Sequence, residues 1–494
     1  MKKVVLIGID GASWQVIDYL LKAGKLPLFK ELISNGVREK LYDINMVEPD
    51  YWQLFHSYRE YKKGVPRCGV HPDAADWISL ATGAMPDKHG VVSPIERDSA
   101  GIAIGVSRRI RIKPNIWELL ARHGKTVGII GWMSDWPPFA SSQYAIARVS
   151  DILYKGKFTY DLSKESFICN PTYPRGLWAT LREIKPDEEI KDFIQKFNFS
   201  IRKQLVSSLV YDSLYLQWTK YLLKNFPQPD FLTLCLYGIH NLSHVFWDCL
   251  DTERRHFNGI IHRRRQKKYG GVIEGYYQYL EKKIEEITKL TRASSIIILV
   301  SSYGMSRSRV TKKYLLMDKI YEKLGFLEYN GNRVDYNSTR VYDDQNQWGI
   351  FAVRKGFIRS KNARKLFSRL RNNMLNIRTE RGESVFNEIT FNSSDNSFQV
   401  IPNYKAIRYS TKLRIKDEVI SANKLVDFVP HYALHGPEGI FIASSSKDNN
   451  IGIRRPFITT LDIAPTILSI FGLKNLDKDL TGENILFVKK GEPG

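Results

Sequence analysis

The chain has 494 residues, 43% of them hydrophobic, and its 74 Lys and Arg outnumber 52 Asp and Glu for a formal net charge of +22. This is the composition of a large globular protein with material for about two to four domain-sized units. No run of about 18 continuous apolar residues is present, so no membrane span is expected, and the four cysteines, Cys68, Cys169, Cys235 and Cys249, lack metal-ligand spacing, which points to a reduced, cytosolic setting. Met1 leads directly into KKVVLIGID, an apolar strand that belongs to the fold and lacks the cleavage site of a secretory signal. Trp14, Ile17, Leu20 and Leu21 then recur at helical spacing until Gly24.

Residues 71–91 read HPDAADWISLATGAMPDKHGV, with Thr82, Gly83, Pro86, His89 and Gly90 fitting a loop-supporting scaffold. NIWELLARHGKTVGIIGWMSDWPP, residues 115–138, pairs a helix led by a tryptophan with a strand at TVGIIGW. Residues 141–227 are first irregular and rich in Tyr and Pro, then helical in pattern from KDFIQKF onward. DFLTLCLYG and SIIILVSS are two further apolar strands, the second preceded by the helix GYYQYLEKKIEEITKL. Residues 306–430 are polar, Asn- and Arg-rich and mixed α and β in pattern, and ALHGPEGIFIA and TTLDIAPTILSIFGL follow near the end.

This alternation predicts an α/β fold, a mostly parallel central sheet with helices on both faces, plus inserted cap segments. The expected division is core at 1–140, an inserted segment at 141–227, core at 228–305, an inserted α+β cap at 306–430 and core again at 431–494. Ligand sites in such sheets gather at the carboxyl ends of strands. Asp10, His240 and Ser302 each follow a predicted strand, so convergence of the three is expected.

Five segments, in order, carry a resemblance: VVLIGIDG at the N-terminus, ADWISLATGAMPDKHG, the 115–138 element, YGIHNLSHVFWD with IIILVSSYGM, and ALHGPEGIFIA with TTLDIAPTILSIFGL. They resemble the type I phosphodiesterase and nucleotide pyrophosphatase branch of the alkaline phosphatase superfamily. The resemblance implies an alkaline-phosphatase-like fold and metal-dependent phosphoester hydrolysis with two cations and a Ser or Thr nucleophile. It places Asp73, nine residues before Thr82, at the nucleophile's position. There Asp73 either coordinates a metal and leaves attack to a bound water, or is a solvated loop carboxylate; an aspartyl phosphate ranks third.

Asp10, in GIDG, matches the family's first metal-binding aspartate, and a helix N-cap is the alternative reading. His240 replaces the aspartate of the family's D-x-x-x-H segment, His244 retains its histidine and His435 matches the final one. Positions i and i+4 share one helix face, so His240, His244 and His435 form a candidate three-histidine site for one Zn²⁺ ion. Ser302 and Tyr303 stand where the family has Asp-His, so a second divalent ion is not expected to bind tightly. Three functions remain open on these residues: a hydrolase with a rearranged site and water as nucleophile, a pseudoenzyme binding a phosphorylated ligand, and a basic polyanion-binding protein. Basic clusters at Arg108, Arg109, Arg111 and Lys113, at Arg263 to Lys268 and along Lys355 to Arg371 keep nucleic acid among the expected partners, beside a phosphorylated small molecule and a solvated surface.

Overall fold

The computed structural model describes residues 3–44, 72–91, 95–97, 103–105, 108, 111–133, 135–148, 171–199, 203–257, 259–291, 295–307, 312–330, 333–335, 338–343, 354–358, 360–393, 396–407, 410–429, 432–445, 451–455, 457–473, 476 and 480–488. The elements that build the core are, in chain order, β1 (Lys3–Ile9), α1 (Trp14–Lys22), α2 (Pro27–Ser34), β2 (Gly36–Tyr42), α3 (Pro72–Thr82), α4 (Ile116–Arg122), β3 (Val127–Ile130), β4 (Tyr144–Ile146), β5 (Thr172–Tyr173) and α5 (Lys203–Asn225). They continue with β6 (Phe231–Leu236), α6 (Gly238–Phe246), α7 (Ile260–Tyr269), α8 (Val272–Thr291), β7 (Ser295–Val300), β8 (Gly304–Arg307), β9 (Ala433–Gly436), β10 (Glu438–Ser445), β11 (Ile458–Thr459) and α9 (Ile463–Ile470).

Among the described residues, nine strands form one sheet in the order β11-β2-β10-β7-β1-β6-β3-β4-β5. The pairs β7-β1, β1-β6, β6-β3, β3-β4 and β2-β11 are parallel, whereas β10 runs against both β2 and β7 and β5 runs against β4. The result is a mixed, mostly parallel sheet with both faces covered. β1 shows why: Val5, Ile7 and Ile9 enter one core with α1, α2, α5, α6 and α8, while Val4 and Leu6 enter the other with α3, α4 and α9. Alternate side chains of a strand point to opposite faces, so a strand apolar at every position must be sandwiched. Burying one such aliphatic side chain contributes about 1.5–3 kcal/mol.

The sheet runs past the expected boundary at residue 140, because β4 and β5 lie within 141–227. Three- and two-residue strands are too short to leave a periodic signal. The segment's long helix α5 also packs its Leu209, Leu214, Trp218 and Leu222 into the first core. Residues 315–425 hold a separate core around Tyr321, Phe367, Leu370 and Phe398. It includes an antiparallel four-stranded sheet formed by Val341–Asp343, Arg354–Ile358, Ser397–Pro402 and Phe386–Asn392.

Candidate metal centre

Three adjacent central strands, β6, β1 and β7, deliver their carboxyl ends to one place. β1 ends one residue before Asp10, and the turn that follows needs Gly11 at φ +71°, because a Cβ there would lie 2.9 Å from the His240 Cα. α1 begins at Trp14 with Ser13 at its N-cap, so Asp10 serves no cap. β6 leads into α6, and one helical turn within α6 stacks His240 and His244. β7 continues through Ser301, Ser302 and Tyr303 into β8, which pairs with β9 so that Met305 faces His435.

The three imidazoles converge by their Nε2 atoms. His240 Nε2 lies 2.7 Å from His244 Nε2, His244 Nε2 lies 3.2 Å from His435 Nε2, and His435 Nε2 lies 3.2 Å from His240 Nε2. Their outer nitrogens face acceptors. His240 Nδ1 donates to Asp10 Oδ2 at 2.7 Å, and His244 Nδ1 donates to the Ala433 carbonyl at 2.9 Å. A carboxylate and a carbonyl only accept, so both protons sit on Nδ1 in the neutral rings and both Nε2 lone pairs point inward. Facing lone pairs at such distances repel unless a cation lies between them. Tetrahedral zinc, with Zn–N of about 2.0–2.1 Å, brings its nitrogen ligands to roughly 3.3–3.4 Å, close to the two 3.2 Å sides of the triangle, whereas the 2.7 Å side between His240 and His244 would have to open by about 0.6 Å. The three imidazoles are thus a donor set that could hold a metal ion. Carboxylate and carbonyl partners behind ligating histidines are the usual orienting arrangement of such sites.

Asp10 is held from both sides, since the indole Nε1 of Trp77 donates to its Oδ1 at 2.9 Å. It meets the histidines through His240. Tyr303 is fully buried; its ring stacks on His435 with centroids 4.3 Å apart, and its hydroxyl oxygen lies 3.3 Å from His240 Nδ1. Ser302 Oγ is buried with no hydrogen-bond partner among the described residues. Phenol and hydroxyl thus occupy the side where the resemblance expects a carboxylate and an imidazole. Asp73 lies in the first turn of α3, and its side chain is outside the described residues.

The scaffold after α3 is built as its residue types require. Thr82 Oγ1 donates to the Ile78 carbonyl at 2.7 Å, and Gly83, at φ +65°, lies where a Cβ would meet Leu480 Cδ2 at 2.7 Å. His89 is fully buried, accepts the Val91 amide at Nδ1 and donates from Nε2 to Ser79 Oγ at 3.0 Å. Burial, with the Arg111 guanidinium nearby, pushes its pKa down to about 3. Arg111 itself is buried in a 2.8 Å ion pair with Glu118, so this member of the basic clusters serves the interior. Cys235 and Cys249 are buried free thiols, and Cys68 and Cys169 fall outside the described residues.

One supporting residue escaped sequence reasoning. Asp212 of α5 is fully buried, and its carboxylate accepts the amides of Tyr237 at 2.8 Å and Gly238 at 2.7 Å, together with the Tyr276 hydroxyl at 2.8 Å. It thereby satisfies the open amides at the start of α6, the helix that carries two of the histidines. The available signal was an acid inside the otherwise apolar run LVSSLVYDSLYLQW.

A model of the type I phosphodiesterase / nucleotide pyrophosphatase family matches residues 73–428, a span that includes His240 and His244 and leaves Asp10 before it and His435 after it. Among solved structures, phosphonoacetate hydrolase from Sinorhizobium meliloti 1021 in complex with phosphonoformate is 11% identical, with 94% of each chain covered and a TM-score of 0.44. Murine ectonucleotide pyrophosphatase / phosphodiesterase 5 is 13% identical, with 96% of each chain covered and a TM-score of 0.46. The human form of the latter is also 13% identical over 96% of each chain, with a TM-score of 0.42. No curated protein sequence matches the chain at a significant level.

Proposed function

The chain belongs to the type I phosphodiesterase / nucleotide pyrophosphatase family of the alkaline phosphatase superfamily, and on that premise we propose that it hydrolyses a phosphoester of a small molecule at one zinc ion held by His240, His244 and His435. The observation that carries this reading is the triangle of Nε2 atoms at 2.7, 3.2 and 3.2 Å. When bound, zinc supplies Lewis-acid charge neutralisation at phosphoryl oxygens and activates water for attack. The chain's own residues prepare the site for it. Asp10 keeps the proton of His240 on Nδ1, and the Ala433 carbonyl does the same for His244, so both rings offer a lone pair without a proton to displace. Tyr303 packs on His435 and fills the neighbouring space with a weak ligand, which supports one tightly held ion instead of the family's two.

Asp73 stands at the family's nucleophile position as a carboxylate. The family's covalent route through a hydroxyl is closed to it, which leaves water as the attacking group. The test combines metal analysis with hydrolysis of bis(4-nitrophenyl) phosphate and 4-nitrophenyl phosphate. The purified protein is expected to bind one zinc per chain and to turn over at least one ester, with activity retained in Asp73→Ala and abolished in His244→Ala. Two tight ions, or an activity indifferent to His244→Ala, would overturn the single-zinc reading.

Ser302 and Tyr303, standing where the family has Asp-His, favour one second reading, a pseudoenzyme that binds a phosphorylated ligand without turnover. Saturable ligand binding by the zinc-loaded protein, with no hydrolysis across a broad ester panel, selects it. Restoring the family's residues then becomes informative. Asp73→Thr alone is expected to recover little, whereas the combination with Ser302→Asp, Tyr303→His and His240→Asp recovers most, because residues acting as one unit are strongly non-additive.

A further inference from the structure

Between Glu253 and Glu274 the sequence contains no acidic residue and seven cations: Arg254, Arg255, Arg263, Arg264, Arg265, Lys267 and Lys268. α7 lies at the centre of this stretch, and its amphipathicity is inverted. A surface helix ordinarily buries an apolar stripe and shows water a polar one. Here His262, Arg265, Gln266 and Tyr269, at helical spacing, form the half-buried inner face. Polar contacts hold that face down: the buried carboxylate of Asp248 accepts from Arg265 Nε at 2.7 Å and from His262 Nδ1 at 3.0 Å, and Gln266 Nε2 donates to the Asp248 carbonyl at 2.9 Å. No residue of the helix is fully buried. The outer face carries exposed Arg263, Arg264, Lys267 and Lys268, and at its leading end Ile260 and Ile261 are 60% and 66% exposed.

We infer that this face of α7 seats the protein on an anionic lipid surface. Cations spaced along a helix with two branched aliphatic side chains at one end match an interface in which phosphates lie at the level of the charges and acyl chains lie just beneath. A nucleic-acid backbone would engage the cations but offers nothing to the isoleucines, and no exposed aromatic on this face is available to stack on bases. The inner face also links the helix to the metal centre. Arg265 lies 4.4 Å from the ring centroid of Tyr432, whose amide donates to the His244 carbonyl at 2.9 Å. A protein seated through α7 therefore holds the histidine centre close to the lipid surface. This inference does not depend on the protein being a hydrolase.

Each cation at an anionic leaflet raises partitioning by about a factor of five. The test is co-sedimentation of the zinc-loaded full chain with vesicles of phosphatidylglycerol and phosphatidylcholine in 1:2 ratio, against phosphatidylcholine alone, at 0.1 M salt. Thermal melting of each variant confirms that it is folded, as expected for substitutions on an exposed face. The wild-type chain is expected to bind the anionic vesicles and to be released by added salt. Lys267→Gln with Lys268→Gln should weaken binding at least about tenfold, and Ile260→Ser with Ile261→Ser should weaken it by a similar factor while salt sensitivity persists. Failure to bind anionic vesicles overturns the inference. So does vesicle binding unchanged by the isoleucine substitutions, or tighter binding to a DNA duplex that depends on the cations alone; either result would mark the helix as a general polyanion surface.

Discussion

His240 shows how much chemistry one substituted position can carry. On the proposed reading it offers an imidazole where the family's aspartate would stand, and the buried Asp10 carboxylate, 2.7 Å away, holds it from behind. The negative charge would then remain at the site one hydrogen bond behind a metal-binding imidazole, where it raises the basicity of the inner nitrogen. His89 teaches the opposite lesson, since a histidine in a motif need not be a ligand. Its two nitrogens are engaged with Ser79 and Val91, and burial lowers its pKa to about 3 from an ordinary 6.5. The folded state therefore resists protonation that the unfolded chain accepts. Its contribution to stability is present in full above about pH 6.5 and is lost as pH falls toward 3. The expected outcome is that His89→Gln flattens the denaturant-unfolding midpoint between pH 6.5 and pH 4 relative to wild type, by an amount on the order of 3 kcal/mol at about 1.4 kcal/mol per pH unit. Parallel pH profiles for the two proteins would remove His89 from this role.

At the scale of elements, α6 is the critical piece, because a single turn of it sets the distance between His240 and His244. Its N-terminal amides are satisfied by Asp212 from α5, a helix of the 141–227 segment, and not by a local cap. A remote carboxylate tying down a helix start fixes both the axial position and the rotation of that helix. Asp212→Asn leaves one acceptor oxygen where the carboxylate offered two, so one buried amide of the pair loses its partner. The expected cost is about 1–3 kcal/mol in denaturant unfolding, accompanied by weaker zinc binding measured by competition with a chelating dye. Stability within about 0.5 kcal/mol of wild type would show that α6 holds its place without this carboxylate. β8 and β9 act in the same way on His435, since their antiparallel register opposite Met305 brings it back to a helix 195 residues earlier in the chain.

Across the whole molecule, the candidate metal centre brings together residues of α6 and β9 that lie as much as 195 positions apart in the chain, with Asp10 behind them. An ion bound to the folded chain alone stabilises it by mass action, by about 2.7 kcal/mol when free zinc is 100 times Kd. Added zinc is accordingly expected to raise the unfolding temperature, a chelator to reverse the rise, and His435→Ala to abolish it. An unfolding temperature insensitive to zinc would count against a pre-formed site. The net charge of +22 also divides at this scale. Arg111 is consumed by Glu118 inside the protein, whereas the outer face of α7 keeps its cations at the surface. Much of the architecture was legible in the chain itself. Apolar runs at VVLIGI, FLTLCL and SIIILV, broken by helical periodicity, determined a sandwiched, mostly parallel sheet, because a strand apolar on both faces has no other way to leave water. The spacing of His240 and His244 determined that they share a helix face, since that follows from 3.6 residues per turn. His435 was placed with that pair by the resemblance, while what only the tertiary structure decided were the seating of Asp10 behind His240, the capping of α6 by Asp212, and the short strands β4 and β5. The physical reason is common to all of them. Each depends on the order in which strands pair and on how helices dock against the sheet, and that order is set by the packing of the whole core, which leaves no periodic trace in the local sequence.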